Sequence, residues 1–183
     1  MLRDATPADF AAILDLNEAF VAVLSPLDGE RLARLHAQAA LHRVIEQDGR
    51  IEAFLLALRE GADYDSANYR WFAQRYARFL YVDRIVVAGS MQARGAGRRL
   101  YHDAYAQASR HAVPFLTCEF DIVPPNPVSA RFHAKLGFHE VGRQQLDGGS
   151  KTVSLQALNV AAGNACLGNV GVAWTQGGSN PSL

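Results

Sequence analysis

The stretch Ile85–Leu100, with the sequence IVVAGSMQARGAGRRL, indicates more about the fold than any other part of the chain. A run of β-branched residues ends at a turn, and Gly95 and Gly97 then open a segment with helical spacing. Glycines let a ligand approach the backbone closely, and the amides at a helix N-terminus attract anions. Three arginines add positive charge to this segment, namely Arg94, Arg98 and Arg99. The pattern therefore predicts a pyrophosphate site.

Two common phosphate-binding glycine motifs do not fit this segment. A dinucleotide-binding fingerprint needs a third glycine at the position where Leu100 stands, and a Walker loop needs a Gly-Lys-Ser/Thr step that the chain lacks. The anion site must therefore be of another type.

The bulk composition is that of an ordinary globular protein. The chain has 183 residues, of which 49% are hydrophobic and 20% are charged, enough for one domain with a substantial core. Eighteen basic and eighteen acidic residues give a formal net charge of +0. This balance argues against a nucleic-acid partner held by a strong overall positive field.

The cysteines and the N-terminus favour a cytoplasmic location and no membrane partner. Cys118 and Cys166 lack the spacing of metal ligands, so no metal is expected, and Cys118 lies in an apolar run typical of a buried free thiol. The first residues contain no apolar signal core, and no segment is long enough to span a bilayer.

Apolar periodicity and turn residues predict the order β-α-α-β-β-β-α-β-α-β-β. Asp48-Gly49 and Asp147-Gly148-Gly149 are typical of hairpin turns, and Gly137 is expected to end the last helix. The other predicted elements are helices starting at Thr6-Pro7, at Asp28 and at Gly95, a segment compatible with a helix at Tyr69–Tyr76, strands at Phe79–Val87 and Phe115–Phe120, and a helix introduced by Pro124–Pro127.

The chain changes character after Leu158. Glycine, alanine and asparagine dominate and periodicity is lost, which predicts a domain over residues 1–158 and a poorly ordered or non-native extension over residues 159–183.

Two motifs together resemble those of the GNAT N-acetyltransferases. The spacing Gln92-x-x-Gly95-x-Gly97 matches the acetyl-CoA signature of that family. The segment from Asn126 to Phe138, NPVSARFHAKLGF, resembles the family's Asn-x-x-Ala-x-x-Leu-Tyr-x-Lys-x-Gly-Phe. The order of elements is also similar to that fold, and the match covers roughly residues 1–158.

The resemblance implies a mixed α/β (α+β) single domain, with a mostly antiparallel twisted sheet splayed between strands 4 and 5 and flanked by helices. It implies acetyl-CoA as cosubstrate, with its pantetheine arm in the gap between the strands. The residues implied to bind it are the backbone of Ile85, Val86 and Val87, the loop residues Gln92, Ala93, Arg94, Gly95, Ala96, Gly97 and Arg98, and Asn126 from the other side.

The candidate catalytic residues are Glu119 and His133. An amine must lose a proton before it attacks the thioester, so Glu119, a carboxylate in an apolar strand beside the gap, is a candidate base or amine-binding anion. The alternative is a buried carboxylate that ties loops together. His133 stands where the family usually has tyrosine, and its imidazolium could protonate the leaving thiolate. A purely structural hydrogen bond, or no acid at all, is the alternative.

Three further residues are candidates for the acceptor pocket. Asp83 is a second carboxylate in an apolar run and a second candidate base, with a salt bridge to Arg84 as the alternative. Tyr69 and Trp71 belong to an aromatic cluster that either lines the pocket or packs in the core. Cys118 is less suited to carry the acetyl group, because it is expected to be buried.

The sequence thus favours an acyltransferase that moves acetyl from acetyl-CoA to a primary amine of a small molecule or peptide, by direct attack in a ternary complex. The competing hypotheses are an acyl-CoA-binding regulatory module without turnover and a transferase of longer acyl groups. A monomer and a homodimer both fit the sequence.

Overall fold

The computed structural model describes residues 1–21 and 24–161, which form one sheet with helices on both faces. The strands are β1 (Leu2–Asp4), β2 (Leu41–Gln47), β3 (Arg50–Arg59), β4 (Leu80–Val87), β5 (Phe115–Val123), β6 (His139–Leu146) and β7 (Lys151–Asn159). The helices are α1 (Phe10–Glu18), α2 (Gly29–Gln38), α3 (Ala67–Ala73), α4 (Ala96–Arg110) and α5 (Pro127–Lys135). Short 3₁₀ turns precede α1, follow β4 and join β6 to β7.

The seven strands lie in the order β1-β2-β3-β4-β5-β7-β6, and every neighbouring pair except β4–β5 is antiparallel. The predicted mixed, mostly antiparallel fold is therefore confirmed. The Asp48-Gly49 turn explains one hairpin, because both residues have the positive φ that a tight turn of this hand requires (51° and 75°).

Side chains alternate between two cores along the strands. On one face, α1, α2 and α3 cover a core that includes Phe54 and Tyr81. On the other face, α4 packs over a core that includes Leu55 and Cys118. The strands in the middle of the sheet are thus buried on both sides, which accounts for their nearly continuous apolar sequences.

An irregularity in β4 opens the sheet. Leu56 faces Arg84 and Ala57 faces Val82, so Asp83 is an extra residue in β4 that has no partner in β3. Such a bulge bends a strand and increases its twist. Strands β4 and β5 pair only at Leu80–Leu116 and Tyr81–Thr117 and separate beyond them. This confirms the splay predicted between strands 4 and 5.

The differences from the sequence prediction lie between elements and at their ends. The predicted order omitted a helix between β3 and β4, where α3 is present. Strand β7 extends to Asn159, and Val160 is buried and donates its backbone N–H to the carbonyl of Pro114 at 2.8 Å. Most of the predicted extension, with Cys166, lies outside the described residues. Among the residues that the structure describes, no helix has both the length and the apolar character needed to cross a membrane.

Candidate active site

A cleft of about 760 Å³ occupies the gap between β4 and β5. It passes through the sheet, because its walls include residues from both faces. The side of α4 and α5 contributes Met91, Tyr101, Cys118, Phe120, Phe132 and His133, and the side of α1 contributes Phe20, Leu24, Asp83, Arg84, Glu119 and Asp121. Two reactants can therefore enter from opposite faces and meet in the gap.

The start of α4 forms one end of the cleft. Gly95 is the N-cap in a left-handed conformation (φ 78°), and no side-chain hydrogen bond caps the helix. Its carbonyl accepts from Arg99 N–H at 2.9 Å, so the amides of Ala96, Gly97 and Arg98 precede the first intrahelical bond. Unpaired amides and the helix dipole together make this end attractive to a phosphate.

The loop before α4 lines the same end. The Nε2 of Gln92 lies 3.5 Å from the carbonyl oxygen of Val87, which ties the loop to β4. Ala93 has a positive φ of 63° although it is not glycine. Gln92, Ala93, Gly95, Ala96, Gly97 and Arg98 all line the cleft, whereas Arg94 and Arg99 are exposed and do not.

Gly97 allows α4 to approach α5. A Cβ added at this position would lie 3.1 Å from Cζ of Phe132 and 3.6 Å from Cγ2 of Val87. The glycine therefore keeps the cleft narrow at this point without a clash.

The free edge of β4 supplies a second binding element. Val86 pairs with Phe54 of β3. Two residues further on, the backbone N–H of Ala88 donates to the carbonyl of Glu52 at 2.8 Å, so the backbone groups of the even-numbered residues point toward β3. Because backbone groups alternate along a strand, those of Ile85 and Val87 face the gap. They can pair with the amides of an extended ligand.

Asn126 lies across the cleft from that edge, at the start of α5. Its Oδ1 accepts from the backbone N–H of Ser129 at 3.0 Å and caps the helix. The Nδ2 group is the part of Asn126 that can donate to a ligand.

Glu119 is the central acidic group of the cleft. Its Oε1 accepts from Nδ2 of Asn68 and from the hydroxyl of Tyr81, each at 2.9 Å. Its Oε2 is buried and has no hydrogen-bond partner among the described residues. Burial raises the pKa of Glu119 to about 8, because the charged form loses its hydration. This carboxyl can therefore exchange a proton near neutral pH.

His133 is buried beside the cleft, and both of its ring nitrogens form hydrogen bonds. Nδ1 lies 2.9 Å from the carbonyl oxygen of Ser129, and a carbonyl only accepts, so Nδ1 carries the proton. Nε2 then accepts from the hydroxyl of Tyr101 at 2.8 Å. Burial lowers the pKa of His133 to about 4, so the ring is neutral. The structure favours the structural alternative for this residue over the acid.

Tyr101, on α4, is a cleft residue that the sequence analysis did not single out. It is 2% exposed, and burial together with the neighbouring Cys118 thiol raises its pKa well above the usual range. Cys118 is a free, buried cysteine whose pKa is also raised by burial. Both groups are therefore neutral at physiological pH.

Asp83, the bulge residue of β4, lines the cleft within a buried network. Its Oδ2 accepts from Nε of Arg84 at 2.7 Å, which is the salt bridge weighed as the alternative, and its Oδ1 accepts from the hydroxyl of Tyr64 at 2.5 Å. Arg84 also donates to Oδ1 of Asn17 at 2.8 Å. The negative charge of Asp83 is thus balanced by the guanidinium of Arg84.

The aromatic candidates of α3 do not line the cleft. Tyr69 is 3% exposed, and its hydroxyl donates to the carbonyl of Arg59 and accepts from the amide of Ala62. Trp71 packs against Gly142 and lies under the guanidinium of Arg75. The assignment of these two to the acceptor pocket is corrected, because both packing and hydrogen bonds direct them elsewhere.

The residue of α3 that reaches the site is Asn68. It bonds Glu119 through Nδ2 and accepts from Nε2 of Gln144 at 3.0 Å through Oδ1. The feature of the sequence that could have indicated Asn68 is an amide side chain within an aromatic segment. Tyr81 and Gln144 could not be identified in this way, because strand pairing places them near Glu119 and Asn68.

Comparisons with known proteins agree with this geometry. The model of the acetyltransferase (GNAT) family matches residues 12–138. The search of curated proteins found no match.

Solved structures share the fold at low sequence identity. The ribosomal-protein-S18-alanine N-acetyltransferase of Escherichia coli is 16% identical, with a TM-score of 0.66 over 87% of this chain and 93% of that one. A putative acetyltransferase of Salmonella typhimurium, yncA, solved with its cofactor acetyl-CoA, is 20% identical, with a TM-score of 0.63 over 87% and 93% of the chains. Chaetomium thermophilum Naa20, solved with a bisubstrate analogue, is 16% identical, with a TM-score of 0.72 over 87% and 86%.

The family model covers well over half of the chain, and the splayed sheet, the uncapped start of α4 and the shared architecture all agree with it. The protein belongs to the GNAT acetyltransferase family and is an acyltransferase.

Proposed function

We propose that this enzyme transfers the acetyl group of acetyl-CoA to a primary amine by direct attack within a ternary complex. The observation that carries the proposal is a cleft that runs through the sheet, with unpaired helix amides at one end and the carboxyl of Glu119 toward the other. The Salmonella relative solved with acetyl-CoA supports the choice of donor.

The donor half of the cleft fits acetyl-CoA. The amides of Ala96, Gly97 and Arg98 would bind the pyrophosphate, aided by the charge of Arg98. The β4 edge at Ile85 and Val87 would pair with the pantetheine amides, with the Nδ2 of Asn126 donating from the opposite wall. A backbone N–H near Val87 is the proposed donor to the oxyanion that forms during attack.

Glu119 is the proposed base. Its ionised carboxylate takes one proton from the acceptor ammonium, and the nitrogen lone pair then forms the C–N bond at the thioester carbonyl. As the C–S bond breaks, the second proton leaves the nitrogen and the CoA thiolate is protonated. The base proton passes to solvent, so each turnover yields an amide, CoA thiol and one net proton.

No protein acid is assigned to the leaving thiolate. A thiol with a pKa of about 8.5 is a good leaving group, and the neutral His133 donates only to Ser129. Holding donor and amine together supplies much of the expected acceleration. A covalent route through Cys118 is not proposed, because burial keeps this thiol protonated.

The alternative weighed from the sequence, a binding module without turnover, predicts that acetyl-CoA binds and that no amine causes release of its thiol. Thiol release from acetyl-CoA, followed across a panel of primary amines, separates the two. Amine-dependent release, lost in Glu119→Gln while CoA binding measured by calorimetry persists, supports the enzyme. Tight CoA binding with no release for any amine would contradict it. A parallel series with a longer acyl-CoA tests the alternative donor.

A further inference from the structure

The part of the cleft on the face of α1, lined by Phe20, Leu24, Asp83, Arg84, Glu119 and Asp121, is called here the acceptor end. Its carboxyl groups differ in whether a cation is paired with them. Two of its carboxylates are already neutralised, because Asp83 bonds Arg84 at 2.7 Å and Asp121 lies 3.1 Å from Nζ of Lys151. Glu119 differs from both. Its partners are the neutral side chains of Asn68 and Tyr81, and its Oε2 is buried without a partner among the described residues.

Among the described residues that line this end of the cleft, no basic group lacks an acidic partner, and Lys151, which is outside the lining, is paired with Asp121. Arg84 lines the cleft, but its side chain is 3% exposed, its Nε donates to Asp83, and its Nη1 donates to Oδ1 of Asn17 and to the carbonyl of Ser25. Arg98, the other arginine of the lining, belongs to the α4 end and bonds His102. Residues 22–23 and 162–183, outside the described part, contain no lysine, arginine or histidine.

The remaining wall of the acceptor end is apolar. Phe20 and Leu24, on either side of residues 22–23, line the cleft on the face of α1. The connection that carries them is anchored to β4, because Arg84 bonds both Asn17 at the end of α1 and Ser25. A substrate bound here meets one carboxyl without a cationic partner, that of Glu119, and an apolar surface.

From this arrangement we infer that the acceptor is a primary ammonium on an apolar group that carries no carboxylate beside the amine. The inference rests on the proposed function and narrows its substrate class. A substrate carboxylate next to the reacting nitrogen would lie close to Glu119 with no cation to neutralise it. The N-terminal residue of a peptide and a simple aralkyl or alkyl amine share the required chemistry, whereas free amino acids lack it.

The test compares leucine, leucinamide and isoamylamine as acceptors, by kcat/KM from thiol release at saturating acetyl-CoA. Leucinamide and isoamylamine are both expected to exceed leucine by roughly 10- to 100-fold, the effect of one unsatisfied buried charged group. Isoamylamine is the control for basicity, because its amine is at least as basic as that of leucine. Equal use of leucine and leucinamide, or isoamylamine as poor as leucine, would overturn the inference.

A second test of the inference introduces a positive charge at the acceptor end. Leu24→Arg places a cation at the acceptor end, and Leu24→Gln is the matched neutral change. The arginine variant is expected to reduce the preference for leucinamide over leucine at least fivefold, while the glutamine variant retains it. An unchanged preference in an arginine variant that still binds CoA contradicts the charge argument.

The outcomes also separate this inference from the proposed function. CoA release with amines but no discrimination against leucine rejects the inference alone, and no release with any amine rejects both. A leucine-initiated tripeptide amide run beside isoamylamine shows which of the two sources of the ammonium the cleft prefers.

Discussion

Glu119 combines a buried carboxyl, two neutral hydrogen-bond donors and a position in the gap of the sheet. Because its pKa is raised to about 8, the free enzyme holds it mostly protonated at neutral pH, and only the ionised form can act as a base. The value of kcat/KM should therefore rise about tenfold per pH unit below pH 8 and level off above it.

The matched variant for this prediction is Glu119→Gln, which keeps an acceptor for Asn68 and Tyr81. It should lose the pH-dependent limb and roughly 10²- to 10⁴-fold of kcat/KM. Two acceptors of different amine pKa serve as the control. If the pH range in which kcat/KM rises shifts with the pKa of the acceptor amine, the rise reports ionisation of the substrate, which would contradict the role of Glu119.

The Tyr101–His133 pair gives a second prediction at this scale. In His133→Phe the Tyr101 hydroxyl loses its buried acceptor, which should cost about 1–3 kcal/mol of unfolding free energy in urea. In Tyr101→Phe the Nε2 of His133 loses its donor at a similar cost. The double variant should be less destabilised than the sum of the two, since neither partner is then left unsatisfied.

Turnover distinguishes structure from catalysis in the same variants. His133→Phe should change kcat by less than about threefold, because a neutral ring that donates to Ser129 supplies no proton to the thiolate. A decrease of a hundredfold or more in kcat, with CoA binding intact, would show instead that His133 acts as the acid.

At the scale of elements, the loop into α4 depends on backbone conformation. Gly95 has a φ of 78° and open space around its missing side chain, so Gly95→Ala brings strain without a clash. Strain of roughly 1–2 kcal/mol at this cap should displace the amides of Ala96 and Gly97 and weaken CoA binding about tenfold by calorimetry.

Gly61 is the matched control for that change. It also has a positive φ (84°) and open surroundings, and it is absent from the cleft lining. Gly61→Ala should lower stability by a similar amount and leave CoA affinity unchanged. Equal effects of the two variants on CoA binding would mean that the α4 start is not the phosphate site.

At the scale of the whole molecule, one buried carboxyl and two buried imidazoles should make the free energy of unfolding depend on pH, with a decrease toward both acid and alkaline pH. Burial raises the pKa of Glu119 from 4.5 to about 8, so its contribution is present below pH 4.5 and is lost as the pH rises to 8. Burial lowers the pKa of His42 and of His133 from 6.5 to about 4, so their contribution is present above pH 6.5 and is lost as the pH falls to 4.

The unfolding free energy measured in urea between pH 4 and pH 9 should therefore be greatest near pH 6.5. Glu119→Gln should remove most of the decline toward pH 9 and should steepen the rise between pH 4.5 and pH 6.5, where the loss of the Glu119 contribution opposes the gain from the two histidines. A wild-type curve that is flat from pH 6.5 to pH 9 would contradict the raised pKa of Glu119.

The sequence by itself determined the hairpins, the helix starts and the glycine-rich turn into α4, because these depend on local features. Turn glycines, β-branched runs and the first residues of a helix act within a few positions of one another. For that reason the turn at Gly95 and Gly97 could be predicted, and Glu119 could be suspected as a carboxylate in an apolar strand. The splay between β4 and β5 and the place of Asn126 beside it were implied only by the family resemblance.

Only the tertiary structure decided which side chains meet in the gap. The bulge at Asp83, the bond from Asn68 to Glu119 and the bond from Tyr101 to His133 join residues that are up to 51 positions apart. Their geometry follows from strand register and from the packing of both sheet faces. The proton affinities of Glu119 and His133 likewise depend on burial, which no local pattern specifies.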